Sequence, residues 1–212
     1  MNMNEILEIN VMLGGLKPTF LPEKDVWIGV DSGAEFLIDN NIQPILICGD
    51  LDSFDYATYK KILKNTRIIK KENQDLTDAE FSLNIIIKNF SKVKKINIFG
   101  ATGRRLDHFF GNILLLNNSK YEHLEITLYD NNNIIFVSKL GVNKLTNNKE
   151  YKYISFVPIF ENTVISIHNA KYSVENFKLT LDRANATSNE FFEDSNIILN
   201  TNKKCLIIYS KD

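Results

Sequence analysis

Two patterns alternate between residue 5 and about residue 140: short apolar runs typical of strands, and segments whose apolar residues recur at helical spacing. The strand candidates are Ile6–Leu13, Val26–Val30, Ile45–Cys48, Arg67–Lys70, Ile96–Phe99 and Leu124–Tyr129. Among the helical stripes are Ala79, Leu83, Ile86, Ile87 and Phe90, and then Phe109, Phe110, Ile113, Leu114 and Leu116. This alternation predicts an α/β fold, in which helices flank a Rossmann-like, mostly parallel sheet.

The pattern changes after Gly141, where a polar segment is followed by short β-rich runs separated by Asn and Asp. These runs are Tyr153–Val157, Val164–Ile167, Phe177–Leu181, Ile197–Leu199 and Cys205–Tyr209. They predict a small antiparallel β-sandwich. We therefore expect an α/β domain over residues 1–142 and a β domain over residues 143–212, the second with too thin a core to stand alone.

Charge and composition exclude several classes of protein. The 212 residues carry a net charge of −1, which gives no electrostatic basis for binding nucleic acid or an anionic membrane. No apolar stretch approaches the ~20 residues of a transmembrane helix, and we expect no signal peptide at the start of the chain. Cys48 and Cys205 both lie in apolar runs, which favours core thiols and a cytoplasmic protein.

A pair of carboxylates follows the most apolar strand candidate. Ile45–Cys48 leads directly into Gly49, Asp50, Leu51, Asp52 and Ser53. Ligands of open α/β sheets collect beyond the carboxyl ends of such strands, and Mg²⁺ prefers oxygen ligands shared with substrate phosphates. The alternative is an ordinary solvated turn, since Gly-Asp and Asp-Ser pairs are common in turns.

Two other segments place carboxylates after strand candidates. Asp31 follows the second one, and Gly33 would let a helix begin close to a ligand; an ordinary strand-to-helix turn is the alternative. Thr77 and Glu80 have the spacing of a capping box, which predicts Thr77 as the N-cap and Asp78 as the first helical residue. Asp78 would then be held at the same edge as Asp50.

A loop after the fifth strand candidate combines Gly100 and Gly103 with Arg104 and Arg105, and a helix is expected to begin near Asp107. Glycines free backbone N–H groups for an anion, and Arg forms charge-assisted bonds to phosphate. The spacing is not that of a Walker A loop. So many carboxylates at one sheet edge would repel one another, which favours a site for Mg²⁺ with a nucleotide or phosphoester.

Taken in order, these segments resemble the thiamine pyrophosphokinase family, and the resemblance extends to Thr187–Phe191. It implies a Rossmann-like domain followed by a β-sandwich, and a homodimer that binds thiamine between its subunits. It also implies transfer of the terminal pyrophosphoryl group of ATP to thiamine, which gives thiamine diphosphate and AMP.

The resemblance also implies residue roles. The catalytic residues would be Asp50, Asp52, Asp78, Asp107 and Arg105, the first three holding Mg²⁺. The residues that bind ATP would be Asp31, Gly33, Ser53, Thr77, Thr102, Gly103 and Arg105. Thiamine would contact Gln74, Ser188, Asn189 and Phe191. The sequence departs from the family at Ser32, Ala101 and Arg104, where Gly is common, and at Leu51, where Phe is common.

Two other functions fit the same residues. One is a different Mg²⁺-dependent enzyme on a similar sheet, either a pyrophosphokinase for another small alcohol or a phosphohydrolase. The other is a sensor that binds nucleotide or thiamine without catalysis. The number of acidic residues argues against a sensor, because binding a phosphate seldom needs so much negative charge beside it.

Overall fold

The structure is a computed structural model, and it describes residues 5–22, 26–52, 54–59, 63, 66–72 and 74–212. The chain divides into two compact units, Met1–Asn131 and Asn132–Asp212. Within the described ranges, none of the helices is long and apolar enough to cross a membrane.

The first unit contains a parallel sheet. Its strands are β1 (Glu8–Met12), β2 (Trp27–Val30), β3 (Leu46–Gly49), β4 (Arg67–Lys70), β5 (Lys95–Phe99) and β6 (Glu125–Tyr129). Their order across the sheet is β4-β3-β2-β1-β5-β6, and each neighbouring pair is parallel. Strands β2 to β4 lie on one side of β1, and β5 and β6 lie on the other, so the strand order reverses between β1 and β5. Open α/β sheets bind ligands at such a switch point.

Helices connect these strands. They are α1 (Ser32–Asp39), α2 (Tyr56–Tyr59), α3 (Asp78–Asn89) and α4 (Leu106–Leu115). The described residues of β2 and β3 are buried throughout, because helices cover both faces of a parallel sheet. Helix α3 buries Ala79, Leu83 and Ile86, as its helical spacing predicts.

Helix α4 differs from the sequence expectation. Phe110 and Leu114 were expected to share one apolar stripe with Phe109, but both side chains are exposed, as is that of Leu106. The buried residues of the helix are Asn112 and Leu115. Asn112 donates a 2.8 Å hydrogen bond to the carbonyl of Ala101, so a polar residue anchors α4 and rotates much of its apolar face away from the sheet.

The second unit is a β-sandwich. One sheet has the order β7-β13-β9 and the other β11-β10-β12-β8, with antiparallel pairs. The strands are β7 (Asn133–Val137), β8 (Gly141–Leu145), β9 (Tyr153–Pro158), β10 (Val164–His168), β11 (Val174–Lys178), β12 (Ile197–Thr201) and β13 (Cys205–Ser210). Alternate residues of both sheets, such as Phe156 and Leu199, meet in one apolar core.

The predicted fold class is confirmed, an α/β sheet flanked by helices and a smaller antiparallel β-sandwich. Neither β7 nor β8 was among the predicted strands. β8 carries Asn143 and Lys144 and overlaps the segment interpreted as polar, whereas β7 is largely apolar and was missed. The strand predicted at Phe177–Leu181 begins three residues earlier in the structure, where β11 spans Val174–Lys178.

Candidate active site

Asp31 and Gly49 fit together at the carboxyl ends of β2 and β3. Asp31 has a φ of 47°, a left-handed conformation that is uncommon for a residue with a side chain. Its Oδ1 accepts a 3.0 Å hydrogen bond from the backbone N–H of Leu51. A Cβ atom on Gly49 would lie 2.0 Å from that Oδ1, and the φ of Gly49 is +134°. Only glycine at this position leaves room for the Asp31 carboxylate.

Asp50 follows Gly49 and is half-buried, whereas Asp52 is exposed. The backbone N–H of Asp52 donates a 3.1 Å hydrogen bond to Oδ1 of Asp50, which orients that carboxylate at the sheet edge. Ser53, which was predicted to bind ATP, lies outside the described residues.

The start of α3 is as the capping pattern predicts. Thr77 is the N-cap, and its hydroxyl accepts a 3.2 Å hydrogen bond from the backbone N–H of Glu80. Asp78 is the first helical residue, which confirms that prediction. Its carboxylate forms an ion pair with the ammonium of Lys71, whose side chain is only 4% exposed.

Lys71 is a site residue that the sequence reasoning missed. It directly follows β4, and its backbone N–H donates a 2.7 Å hydrogen bond to the carbonyl of Gly49. In the sequence, Lys71 is the second of two consecutive lysines at the end of a strand, and such lysines are usually exposed to solvent. Its burial becomes evident only once the carboxylate of Asp78 is seen beside it.

Asp31, Asp50, Asp78 and Lys71 interact electrostatically. The pKa of Asp31 is raised to about 6, chiefly by burial and also by the negative charges of Asp78 and Asp50, while the Leu51 N–H and the charge of Lys71 oppose the rise. Burial and the charges of Asp31 and Asp78 also raise the pKa of the Cys48 thiol. We call Asp31, Asp50 and Asp78 the carboxylate cluster.

The loops after β1 and β5 are joined through their backbones. The N–H of Gly15 donates to the carbonyl of Gly100 at 2.9 Å, and the N–H of Leu16 donates to that of Thr102 at 2.8 Å. A Cβ atom on Gly15 would lie 2.3 Å from the Gly100 oxygen, so a side chain there would push the loops apart. This junction lies at the switch point of the sheet.

Positive charge collects at the junction. Lys17 Nζ donates to the carbonyl of Ser32 at 3.2 Å, and its pKa is lowered to about 8 by burial and then by the charge of Arg104. Arg104 has a left-handed φ of 60°. The hydroxyl of Thr102 is buried and has no hydrogen-bond partner among the described residues. The sequence reasoning did not identify Lys17.

Arg105 and Asp107 form a separate, exposed pair. The guanidinium holds the carboxylate through two contacts, Nε to Oδ1 at 3.1 Å and Nη2 to Oδ2 at 2.5 Å. This contact lowers the pKa of Asp107 to about 2. Asp107 therefore pairs with an arginine of its own loop.

The remaining predicted residues have varied surroundings. Gly33 is buried in the first turn of α1, Gly103 is exposed in the loop after β5, and Gln74 is exposed before α3. The described carboxylates do not form a metal centre by themselves, since no group of three or more His, Cys, Asp or Glu side chains that could hold a metal ion occurs within the described ranges.

Apart from Gln74, the residues predicted to bind thiamine lie in the second unit. Ser188 is exposed and has a left-handed φ of 57°. The side chain of Asn189 is buried and bonds the backbone of Tyr172 through both its oxygen, at 3.0 Å, and its nitrogen, at 2.8 Å. Phe191 packs 5.7 Å from the ring of Tyr209. Asn189 therefore shapes the segment that presents Ser188.

Comparison with known proteins identifies similar sequences and folds. Residues 18–128 match the family model described as the thiamin pyrophosphokinase catalytic domain, and residues 142–206 match the thiamin pyrophosphokinase vitamin B1 binding domain. A thiamine pyrophosphokinase of Bacillus subtilis is 32% identical over 191 residues, which cover 86% of this chain and 88% of that protein.

Two solved structures share the fold over nearly the whole chain. The crystal structure of a thiamine pyrophosphokinase from Bacillus subtilis has a TM-score of 0.86 at 31% identity, covering 97% of this chain and 99% of that one. The thiamin pyrophosphokinase from Geobacillus thermodenitrificans has a TM-score of 0.82 at 28% identity, with 97% and 98% covered.

Proposed function

This chain belongs to the thiamine pyrophosphokinase family, and on that premise we propose which of its residues perform each part of the reaction. It transfers the terminal pyrophosphoryl group of ATP to the hydroxyl of thiamine, giving thiamine diphosphate and AMP. In this reaction the thiamine oxygen forms a bond to the β-phosphorus, and the bond between that phosphorus and the oxygen of AMP breaks. The carboxylate cluster beside a buried lysine is the observation that best supports the location of the site.

Asp50, Asp52 and Asp78 are our proposed ligands of Mg²⁺. Their oxygens are the hard ligands that this ion prefers, and Mg²⁺ is usually bound by one or two carboxylates together with substrate phosphates. A complete protein cage is therefore not required, and the cluster already holds one cation, the ammonium of Lys71. When bound, Mg²⁺ would neutralise charge on the phosphate oxygens.

We assign the ATP phosphates to the junction of the β1 and β5 loops. The free Thr102 hydroxyl, the backbone of Gly103 and the positive charge of Arg105 can each bind phosphate oxygens. Lys17 and Arg104 add positive charge there. The other proposed ATP contacts are Asp31, Gly33, Ser53 and Thr77.

The protein's part in the chemistry is positioning and neutralisation of charge. A loose phosphoryl-type transition state needs little help from a base, so the proton of the thiamine hydroxyl can pass to a carboxylate as the bond to phosphorus forms. Asp107 and Arg105 are the remaining proposed catalytic residues. Gln74, Ser188, Asn189 and Phe191 are the proposed thiamine contacts, with Ser188 the exposed polar group among the last three.

A product assay tests the activity. Incubation with ATP, Mg²⁺ and thiamine is expected to give AMP and thiamine diphosphate in equal amounts, with neither formed when thiamine is omitted. Chromatography of the nucleotides and thiamine esters measures both products. Release of free phosphate would indicate a phosphohydrolase, and binding of ATP or thiamine without formation of AMP would indicate a sensor. Formation of AMP only with another alcohol would contradict the assignment of thiamine as the substrate.

We also propose a homodimer. In the single chain, Leu106, Phe110 and Leu114 are exposed one helical turn apart along α4, with Phe110 62% exposed. Adjacent apolar side chains of this kind are commonly covered by another protein surface, and a second copy of the chain is the partner that the family resemblance implies.

Phe110→Asp is expected to convert the dimer to a monomer, because a charge would have to be buried in an apolar contact. Sedimentation equilibrium at several protein concentrations measures the mass. Leu7→Asp is the matched control, since Leu7 is an exposed apolar residue just before β1. A wild-type monomer would contradict the homodimer, and a dimeric Phe110→Asp variant would exclude α4 from its interface.

Two further assignments complete the proposal. Residues 1–142 would form the catalytic domain that binds ATP, and residues 143–212 the domain that binds thiamine. We propose a cytoplasmic location, which is supported by two cysteine thiols, Cys48 and Cys205, that are both buried and free.

A further inference from the structure

Lys71 occupies an unusual position for a lysine. Lys71 is only 5% exposed, whereas lysines are almost never buried unless they are paired. Its backbone is fixed by the hydrogen bond to Gly49, and its Nζ donates to the carbonyl of Leu76 at 3.3 Å as well as pairing with Asp78. The chain therefore places a positive charge at the edge of the sheet where β3 and β4 end.

The ammonium of Lys71 offsets part of the negative charge of the carboxylate cluster. It is bonded directly to Asp78, and its charge also acts on Asp31, in opposition to the effects of Asp50 and Asp78. Close carboxylates disfavour one another's ionised form unless a cation lies nearby. Lys71 supplies that cation from the chain itself.

The same placement affects any external cation. A divalent ion bound by Asp78 would compete with the ammonium for carboxylate oxygen, and it would also be repelled by a like charge. The lysine ammonium is a compact charge on a flexible stem, so it can leave Asp78 without a rearrangement of the backbone.

We propose that Lys71 is an internal counter-cation, which holds Asp78 in the free enzyme and lowers the affinity for Mg²⁺ of the site that Asp78 forms with Asp50 and Asp52. This inference rests on the proposed Mg²⁺ site. It assigns to Lys71 a control over metal binding and makes it a positioning residue for Asp78, with no contact to the reacting atoms.

The test is the Mg²⁺ affinity of the full-length, nucleotide-free protein. Lys71→Met is expected to raise this affinity roughly tenfold or more, the size of effect that a neighbouring charge has on a titrating group. Isothermal titration with Mg²⁺, and Mn²⁺ titration followed by electron paramagnetic resonance, measure it. Lys70→Met is the matched control, because Lys70 is the adjacent lysine and is exposed; its affinity should equal that of the wild type.

Thermal unfolding gives a second readout. With a chelator, Lys71→Met should unfold at a lower temperature than the wild type because the carboxylates repel one another, and Mg²⁺ should raise its melting temperature more than that of the wild type. Lys71→Gln, which can still donate to the carbonyl of Leu76, should show the same gain in affinity if Lys71→Met does not fold.

The outcomes separate the two proposals. Wild-type binding that neither neutral variant strengthens would overturn the role of Lys71 and leave the Mg²⁺ site intact; a purely structural ion pair would give this result together with equal destabilisation in chelator and in Mg²⁺. An absence of Mg²⁺ binding in the wild type and in both variants would overturn the site, and the role of Lys71 with it.

Discussion

Asp50→Asn is expected to lower kcat/KM roughly 10³-fold, which corresponds to several kcal/mol of lost transition-state stabilisation. The amide keeps the shape of the carboxylate and can still accept the hydrogen bond from Asp52 N–H, but it removes the charge that would hold Mg²⁺. Steady-state rates at saturating thiamine and increasing Mg²⁺ measure the effect, and circular dichroism checks the fold.

The matched control for Asp50→Asn is Asp194→Asn. Asp194 is an exposed carboxylate of the second unit that pairs with Lys149, and its substitution should leave turnover unchanged. Near-normal turnover of a correctly folded Asp50→Asn variant at saturating Mg²⁺ would contradict the metal assignment.

Asp50 is a more informative target than Asp78, for a structural reason. Asn at position 78 would leave the buried ammonium of Lys71 without its carboxylate, and loss of one partner of a buried ion pair is strongly destabilising. An inactive Asp78→Asn variant would therefore combine a loss of stability with a loss of chemistry.

Gly49→Ala is expected to lower the free energy of unfolding by roughly 2–5 kcal/mol, because it combines backbone strain with overpacking. The new methyl group would overlap the carboxylate of Asp31, forcing Asp31 away from the N–H of Leu51. Since Asp31 is a proposed ATP contact, ATP affinity should fall as well. Urea denaturation and ATP titration measure the two effects.

Gly141→Ala separates strain from overlap. Gly141 has a φ of +76°, but nothing lies within 4 Å of a Cβ built there, so its substitution should cost only the backbone term of about 1–2 kcal/mol. Adding Asp31→Ala to Gly49→Ala should recover the part of the stability that the overlap costs, but not the part due to backbone strain, and should not restore ATP binding. Equal costs for the two glycine variants would show that the contact with Asp31 is not the cause.

The sequence was informative where one rule of local structure decides the outcome. Apolar runs predicted the strands that precede Asp31 and Asp50, and the carboxyl ends of parallel strands must share an edge. The capping pattern identified Thr77 and Asp78 because an N-cap depends only on residues within one turn.

Contacts between distant segments were not predictable in the same way. Burial of Lys71 depends on Asp78, which belongs to the next helix, and α4 is oriented by the bond between Asn112 and Ala101 across a loop. The amide of Asn189 serves the backbone of Tyr172, seventeen positions away. Periodicity indicates which residues share one face of a helix. It does not indicate which face is buried when a polar side chain such as that of Asn112 forms a hydrogen bond in the core.

The junction of the β1 and β5 loops allows the side chains around it to vary between related proteins. Its geometry is set by hydrogen bonds between main-chain atoms and by the absence of a side chain at Gly15. Main-chain atoms are common to all residues, so neighbouring side chains, including Ala101 and Arg104, can vary while the loops keep their spacing. Most of the side chains around the proposed phosphate site can thus change during evolution, provided that positions without room for a side chain, such as Gly15, are kept.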